Sequence, residues 1–302
     1  MIAFGSSITS PEAYERYAGP GISRAAEADS PVFAHAAAGS VARSYNLMIE
    51  RAAPYEALEA LVLLHQDAEI VDPDFCAKLR DALRDQEVGV VGCVGAVGAT
   101  SIAWWEGSVT WDAFARCYRE LKGAPMPDLH WNGEKLPPHA PMGEVDTLDG
   151  FMLALSPWAV RNVRFDESLD LLYGHDFDFC LQVREAGRKV VAAPLDVTHH
   201  HRLELVTDPE AWMEAHMRTA DKWTGRMPHI QESNGDWRQR ARQAEAEAGV
   251  ARLAGASKLL QAYARAEEQD NGLKEITDTR SWRVTEPLRR LNARRKGRRE
   301  PA

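Results

Sequence analysis

In the stretch LVLLHQDAEIVDPDF, residues 61–75, an apolar run ends abruptly in His65-Gln66-Asp67 and is followed by Glu69 and Asp72. Hard cations such as Mg2+ and Mn2+ prefer oxygen ligands, and imidazole is acceptable to Mn2+. Glu69 and Asp72 read as solvated loop acids, Asp72 also as the cap of the next helix; spacing leaves Asp67 open between a ligand and a loop acid. A second stretch, YGHDFDFCLQVREAG (173–187), puts Asp176 and Asp178 at the start of a helical pattern. The helix dipole there favours an ionised carboxylate, which is either a functional acid or an ordinary first-turn acid. A third stretch, VTHHH, ends in His199, His200 and His201. Alternate strand residues share a face, so His199 and His201 point together, as metal ligands or simply as a polar strand end.

These residues need a scaffold that brings distant segments to one edge. MIAFGSS reads as a strand, and SVARSYNLMIERAA as an amphipathic helix capped by Ser40. ALVLL is apolar on both faces, as in the middle of a parallel sheet. DPDFCAKLRDALRD is a helix with Asp72 as cap and Pro73 at its first position, and VGVVGCVG is the next strand. Residues 103–142 break into Trp, Pro, Gly and His, the texture of long loops. The pattern resumes with EVDTLDGFMLALSP, a helix over HDFDFCLQVREAG closed by Gly187, and a strand over KVVAAPLDVTHHH. This rhythm predicts an α/β domain with a largely parallel sheet flanked by helices. Such sheets take ligands at the carboxyl ends of their strands, where His65 and Asp67 fall. Beyond residue 206 the character turns helical, in DPEAWMEAHMRTADKW and again over 236–269. The expected division is a catalytic domain at 1–205 and a helical extension at 206–302 with a basic tail.

Composition narrows the function. The chain has 302 residues, 45% of them hydrophobic, and a net charge of −9. An acidic body is a poor partner for nucleic acid, and the basic tail lacks interleaved aromatics. The tail differs: from Arg280 onward nine Lys/Arg stand against Glu286 and Glu300. Such a cluster is either a solvated end or a peripheral contact with an anionic membrane. The four cysteines form no C-x-x-C pair, which fits a reducing, cytoplasmic setting. The N-terminus lacks a signal-peptide layout. Val88–Trp105 is free of charge, but its regularly spaced glycines favour a buried strand and loop over a membrane helix. Those glycines, at steps of three, also fail the G-x-G-x-x-G pattern of a dinucleotide loop.

In this order, SVARSYNLMIERA, LVLLHQDAEI, VGVVGCVGA with WWEG, VDTLDGFMLAL, and FDESLDLLYGHDFDFCLQVREAGRKVVAAPLDVTHH resemble the GT-A glycosyltransferases, specifically the family 2-like group, over most of residues 1–202. The resemblance implies transfer of one sugar from a nucleotide-sugar donor to a hydroxyl of a glycan or lipid-linked acceptor, with inversion, assisted by Mg2+ or Mn2+. The family's Asp-x-Asp metal motif falls on His65-Gln66-Asp67, so Asp67 would hold the cation and His65 replaces the first acid. The family's acidic dyad falls on His175-Asp176, which makes Asp176 the general base. His199 matches a late histidine that serves as metal ligand or diphosphate contact, with His201 as the alternative. Asp149 and Gly150 match the segment beside the acceptor pocket. Trp104 and Trp105 would stack on sugar faces or form an apolar plug, and Asn46 would contact donor or pack a helix. Gln66, His175 and Asp178 are grouped with the donor- and acceptor-binding residues. The segment PVFAHAAAGS has no acid to read a nucleotide base, and Q-x-x-R-W is absent, which favours single-sugar transfer. The competing reading is a non-catalytic relative that binds a sugar nucleotide or glycan, prompted by His65 in place of an acid.

Overall fold

A computed structural model describes residues 1–118, 140–169, 173–200, 208–223 and 226, with isolated positions between 249 and 285. His201 and most of the basic tail lie outside the described residues. Two compact units are formed, one from Met1–Lys122 with Asp128–Gly255, the other from Gly123–Pro127 with Ala256–Ala302. The candidate site belongs to the first.

That unit opens with β1 (Ile2–Ile8), then α1 (Pro11–Ala13), a π-helical turn (Tyr14–Ala18) and α2 (Gly19–Ala25). Next come β2 (Val32–Ala36), α3 (Val41–Ala52), β3 (Ala60–Leu64), β4 (Ala68–Ile70) and α4 (Phe75–Ala82). β5 (Val88–Gly92), β6 (Gly95–Val97), β7 (Ser108–Val109) and α5 (Trp111–Cys117) follow. After the undescribed stretch stand β8 (Gly143–Val145), β9 (Thr147–Leu148), β10 (Met152–Leu155) and α6 (Pro157–Asn162). The unit continues with α7 (His175–Glu185), β11 (Lys189–Ala192), β12 (Val197–His199) and α8 (Pro209–Trp223).

The main sheet has the order β2-β1-β3-β10-β5-β11-β8. β1 pairs parallel with β2 and β3, and β11 with β5, while β10 and β8 run antiparallel to their neighbours. Five of the seven strands therefore point one way, the mostly parallel α/β sheet that the sequence predicts. Every residue of β3, β5 and β10 is buried, which explains why those segments read as continuous apolar runs rather than alternating ones. α3 starts where Ser40 Oγ accepts the Arg43 N–H at 3.2 Å. It turns Ala42, Tyr45, Met48, Ile49 and Ala52 into the core, at about 1.5–3 kcal/mol for each large side chain. Among the described residues no helix is long and apolar enough to cross a membrane.

Two sequence expectations change. Asp72 is neither a solvated acid nor the cap of α4, whose N-cap is Asp74. The Asp72 side chain is buried and accepts the N–H groups of Asp74 and Asp196, each at 3.0 Å, and Lys78 Nζ at 2.7 Å. Burial alone would raise its pKa, but these donors hold it below the usual carboxylate range. The stretch 189–201 is not one strand either. β11 ends at Ala192, and after Pro194 the chain leaves the main sheet as β12, which pairs antiparallel with β4.

Candidate active site

The site gathers where β3 ends. After Leu64 the chain makes a tight turn, Ala68 N–H to His65 C=O at 3.0 Å, and re-enters extended structure as β4. His65 and Asp67 therefore protrude from the carboxyl edge of the sheet. β10 runs antiparallel to β3, with Met152 opposite Leu64, so the residues preceding β10 reach that same edge. The His65 N–H donates to Phe151 C=O at 2.9 Å and locks the two together. The register of β12 on β4 sets His199 opposite Ala68, and the His200 N–H donates to Asp67 C=O at 2.8 Å. Three segments far apart in the chain thus meet.

One ligand atom each from His65, Asp67 and His199 lies within 4.8 Å of the others. His199 Nε2 stands 3.4 Å from Asp67 Oδ1. Burial pushes the Asp67 carboxyl up, but His199 and His65 outweigh it and hold the group well below the usual carboxylate range. It is therefore a carboxylate at any ordinary pH. The imidazole of His199 is buried with its ring stacked on Phe151, centroids 4.9 Å apart and planes at 19°. Tyr118 meets the same imidazole edge-on at 5.2 Å. Two imidazoles and a carboxylate fit a divalent cation of intermediate softness, such as Mn2+, better than Mg2+, which favours oxygen.

Asp176 stands on the neighbouring wall, at the start of α7. Its Oδ1 accepts the Phe177 N–H at 2.8 Å and its Oδ2 accepts the Gly150 N–H at 2.9 Å. A Cβ on Gly150 would fall 2.8 Å from Asp176 Cβ, so only glycine allows this approach. Gly174, at φ +77°, supplies the left-handed turn that starts α7. The His175 ring lies 6.3 Å from that of His65, which joins the two walls. Tyr45, buried beneath them, has its hydroxyl pKa raised by burial first and then by the charges of Asp176 and Asp67.

Asp149 completes the edge. Tyr118 Oη donates to its Oδ2 at 2.5 Å. Burial, helped by Asp176 and opposed by His199 and the Tyr118 hydroxyl, raises the Asp149 pKa to about 6. The sequence offers no signal for Tyr118, whose surroundings depend on the fold, and Phe151 stands beside Gly150 as one more apolar residue.

Other expected residues are placed elsewhere. Gln66 faces the end of β1, where its Oε1 accepts the N–H groups of Thr9 at 2.8 Å and Ser10 at 2.7 Å. Asn46 clamps the backbone of Phe165, donating to its C=O and accepting from its N–H, both at 2.9 Å. It is a packing residue of α3. Trp104 and Trp105 are buried against each other, Phe114 and Trp212, which is the apolar plug rather than an open sugar platform. Asp178, with 1% of its side chain exposed, is turned to α8. It accepts Trp223 Nε1–H at 2.8 Å, pairs with Lys222 at 2.7 Å and accepts Gln182 Nε2–H at 2.9 Å. The Asp178→Ala variant leaves a half-buried ammonium and a buried indole N–H without this partner. A loss of about 3–5 kcal/mol in stability is expected, with a matching fall in the urea midpoint; a shift below about 0.5 kcal/mol contradicts it.

Residues 21–219 match the family model described as "Glycosyltransferase like family". The streptomycin biosynthesis protein StrF of Streptomyces griseus is 30% identical over 210 residues, 67% of each chain. Among solved structures, the mannosyltransferase PcManGT of Pyrobaculum calidifontis, in complex with GDP-Man and Mn2+, overlays with a TM-score of 0.43 at 13% identity, covering 94% of this chain and 81% of that one. GalNAc-T7 with UDP, GalNAc and Mn2+ overlays with a TM-score of 0.47 at 11% identity, covering 82% of this chain and 54% of that one.

Proposed function

The chain belongs to the glycosyltransferase-like family, and from that premise we propose that it moves a single sugar from a nucleotide-sugar donor to a hydroxyl of a glycan or lipid-linked acceptor, with inversion. The observation that carries this reading is the convergence of His65, Asp67 and His199 on one cation-sized cluster, with Asp176 on the adjoining wall.

His65, Asp67 and His199 would hold Mn2+. When bound, it supplies positive charge for the diphosphate as that group leaves. Asp176 accepts the proton of the acceptor hydroxyl as its oxygen attacks the anomeric carbon. The Gly150 and Phe177 N–H groups fix both carboxylate oxygens, so Asp176 meets the acceptor without rotamer search. Attack from the face opposite the departing diphosphate inverts that carbon, and no covalent sugar–protein link is needed.

A thermal-shift screen of UDP-, GDP- and dTDP-sugars with Mn2+ or Mg2+ tests the proposal. A donor at a hundred times its Kd adds about 2.7 kcal/mol. We expect one nucleotide class to raise the Tm by several degrees, and Mn2+ to support the shift at lower concentration than Mg2+. If no donor stabilises the protein with either ion, the reading fails.

A further inference from the structure

Tyr118 and Asp149 are not needed by the reaction as written, yet they join its two halves. The Tyr118 hydroxyl donates to Asp149 Oδ2 at 2.5 Å. Asp149 directly precedes Gly150, whose N–H holds Asp176 at 2.9 Å and whose missing Cβ lets that carboxylate sit against the backbone. The other side of the Tyr118 ring system is occupied by the metal-binding wall. The ring lies edge-on to His199 at 5.2 Å and to Phe151 at 5.9 Å, and Phe151 in turn is stacked on His199 at 4.9 Å. Tyr118 is buried at the end of α5, and its ring also stacks on Phe114 at 4.5 Å, which leaves it little freedom.

We propose that Tyr118 is a positioning residue: its ring orients the His199 imidazole while its hydroxyl, through Asp149, pins the backbone that places Asp176. The inference rests on the cation site and the Asp176 base proposed above. Its physical basis is that a ligating imidazole is only as well aimed as the groups packed on it. Loss of such supporting contacts typically lowers metal affinity or activity by about 10–100-fold. Removal of the hydroxyl also leaves the enclosed Asp149 carboxylate short of a donor, so the 149–151 segment is expected to shift, and with it Phe151, whose ring is stacked on the His199 imidazole and whose C=O accepts the His65 N–H.

The test compares full-length wild type, Tyr118→Phe, Asp149→Ala and Asp149→Asn. Mn2+ affinity is measured by the EPR signal of free Mn2+, and kcat and KM with the donor found in the screen. Phe keeps the ring and deletes only the hydroxyl. Expected are a Mn2+ affinity weakened about tenfold in Tyr118→Phe and kcat lowered more than KM is raised. Asp149→Ala is expected to match it. Asp149→Asn, whose amide oxygen can still accept from Tyr118, is expected to recover most of the affinity lost in Asp149→Ala. Wild-type Mn2+ affinity in Tyr118→Phe overturns the positioning role. So does an Asn variant as weak as the Ala variant, which would assign the effect to the charge of Asp149 instead of to its bond. Absence of Mn2+ binding in the wild type overturns the cation reading and this inference with it. Should Tyr118→Phe not fold, the Ala–Asn comparison at position 149 decides alone.

Discussion

Asp176→Asn is expected to lower turnover by about 10²–10⁴-fold and to leave donor binding within a few-fold of wild type. The size follows from the ordinary contribution of a positioned general base. The selectivity follows from geometry. Asp176 is aimed by Gly150 and Phe177 N–H groups, and the His65, Asp67 and His199 cluster is built from other elements, the β3–β4 turn and β12. An amide has one acceptor where the carboxylate has two, so one of those N–H groups loses its partner, at about 1–3 kcal/mol if it stays dry. A modest fall in Tm is therefore expected beside the large kinetic loss. Single-turnover rates at saturating acceptor report the chemical step, and donor-induced thermal shift reports binding. This variant also separates the enzyme from a non-catalytic sugar-nucleotide binder. A variant that transfers sugar at the wild-type rate removes Asp176 from the mechanism.

Asp67→Ala is expected to abolish saturable Mn2+ binding and to reduce kcat/KM by roughly 10³-fold, since a cation at a leaving diphosphate supplies several kcal/mol of charge stabilisation. Of the three groups in the cluster, Asp67 alone brings a formal negative charge at neutral pH, and its low pKa, set by His199 and His65 against burial, keeps that charge in place. Two imidazoles without it repel a cation as soon as either is protonated. Isothermal titration with MnCl2 reads the affinity directly. Retention of a stoichiometric Mn2+ site in this variant would place the cation elsewhere. The wild type under EDTA should reproduce the kinetic loss, with recovery on addition of Mn2+ and weaker recovery on addition of Mg2+.

The sequence alone determined the alternation of elements, and it did so because buried parallel strands and amphipathic helices leave different periodicities. Continuous apolar runs marked β3 and β5, Ser40 marked the start of α3, and Gly187, at φ +74°, marked the close of α7. Residue type and order also determined which side chains had the chemistry for a cation and a proton, His65, Asp67, Asp176 and His199 among them.

Tertiary structure decided which of those candidates meet. Asp176 and Asp178 look alike in the sequence, two first-turn acids of one helix. They project from different sides of α7, one toward Gly150 and the other into the Lys222 and Trp223 side chains of α8. Asn46 and Gln66 are spent on backbone contacts 119 and 56 residues away, partners that no local pattern encodes. The junction of His199 with Asp67 depends on β12 leaving the main sheet to pair with β4, and that register is fixed by non-local hydrogen bonds. Local propensity acts over a few residues, whereas a site of this kind is built from chain segments more than a hundred residues apart. Only packing can choose among chemically equivalent side chains at that separation.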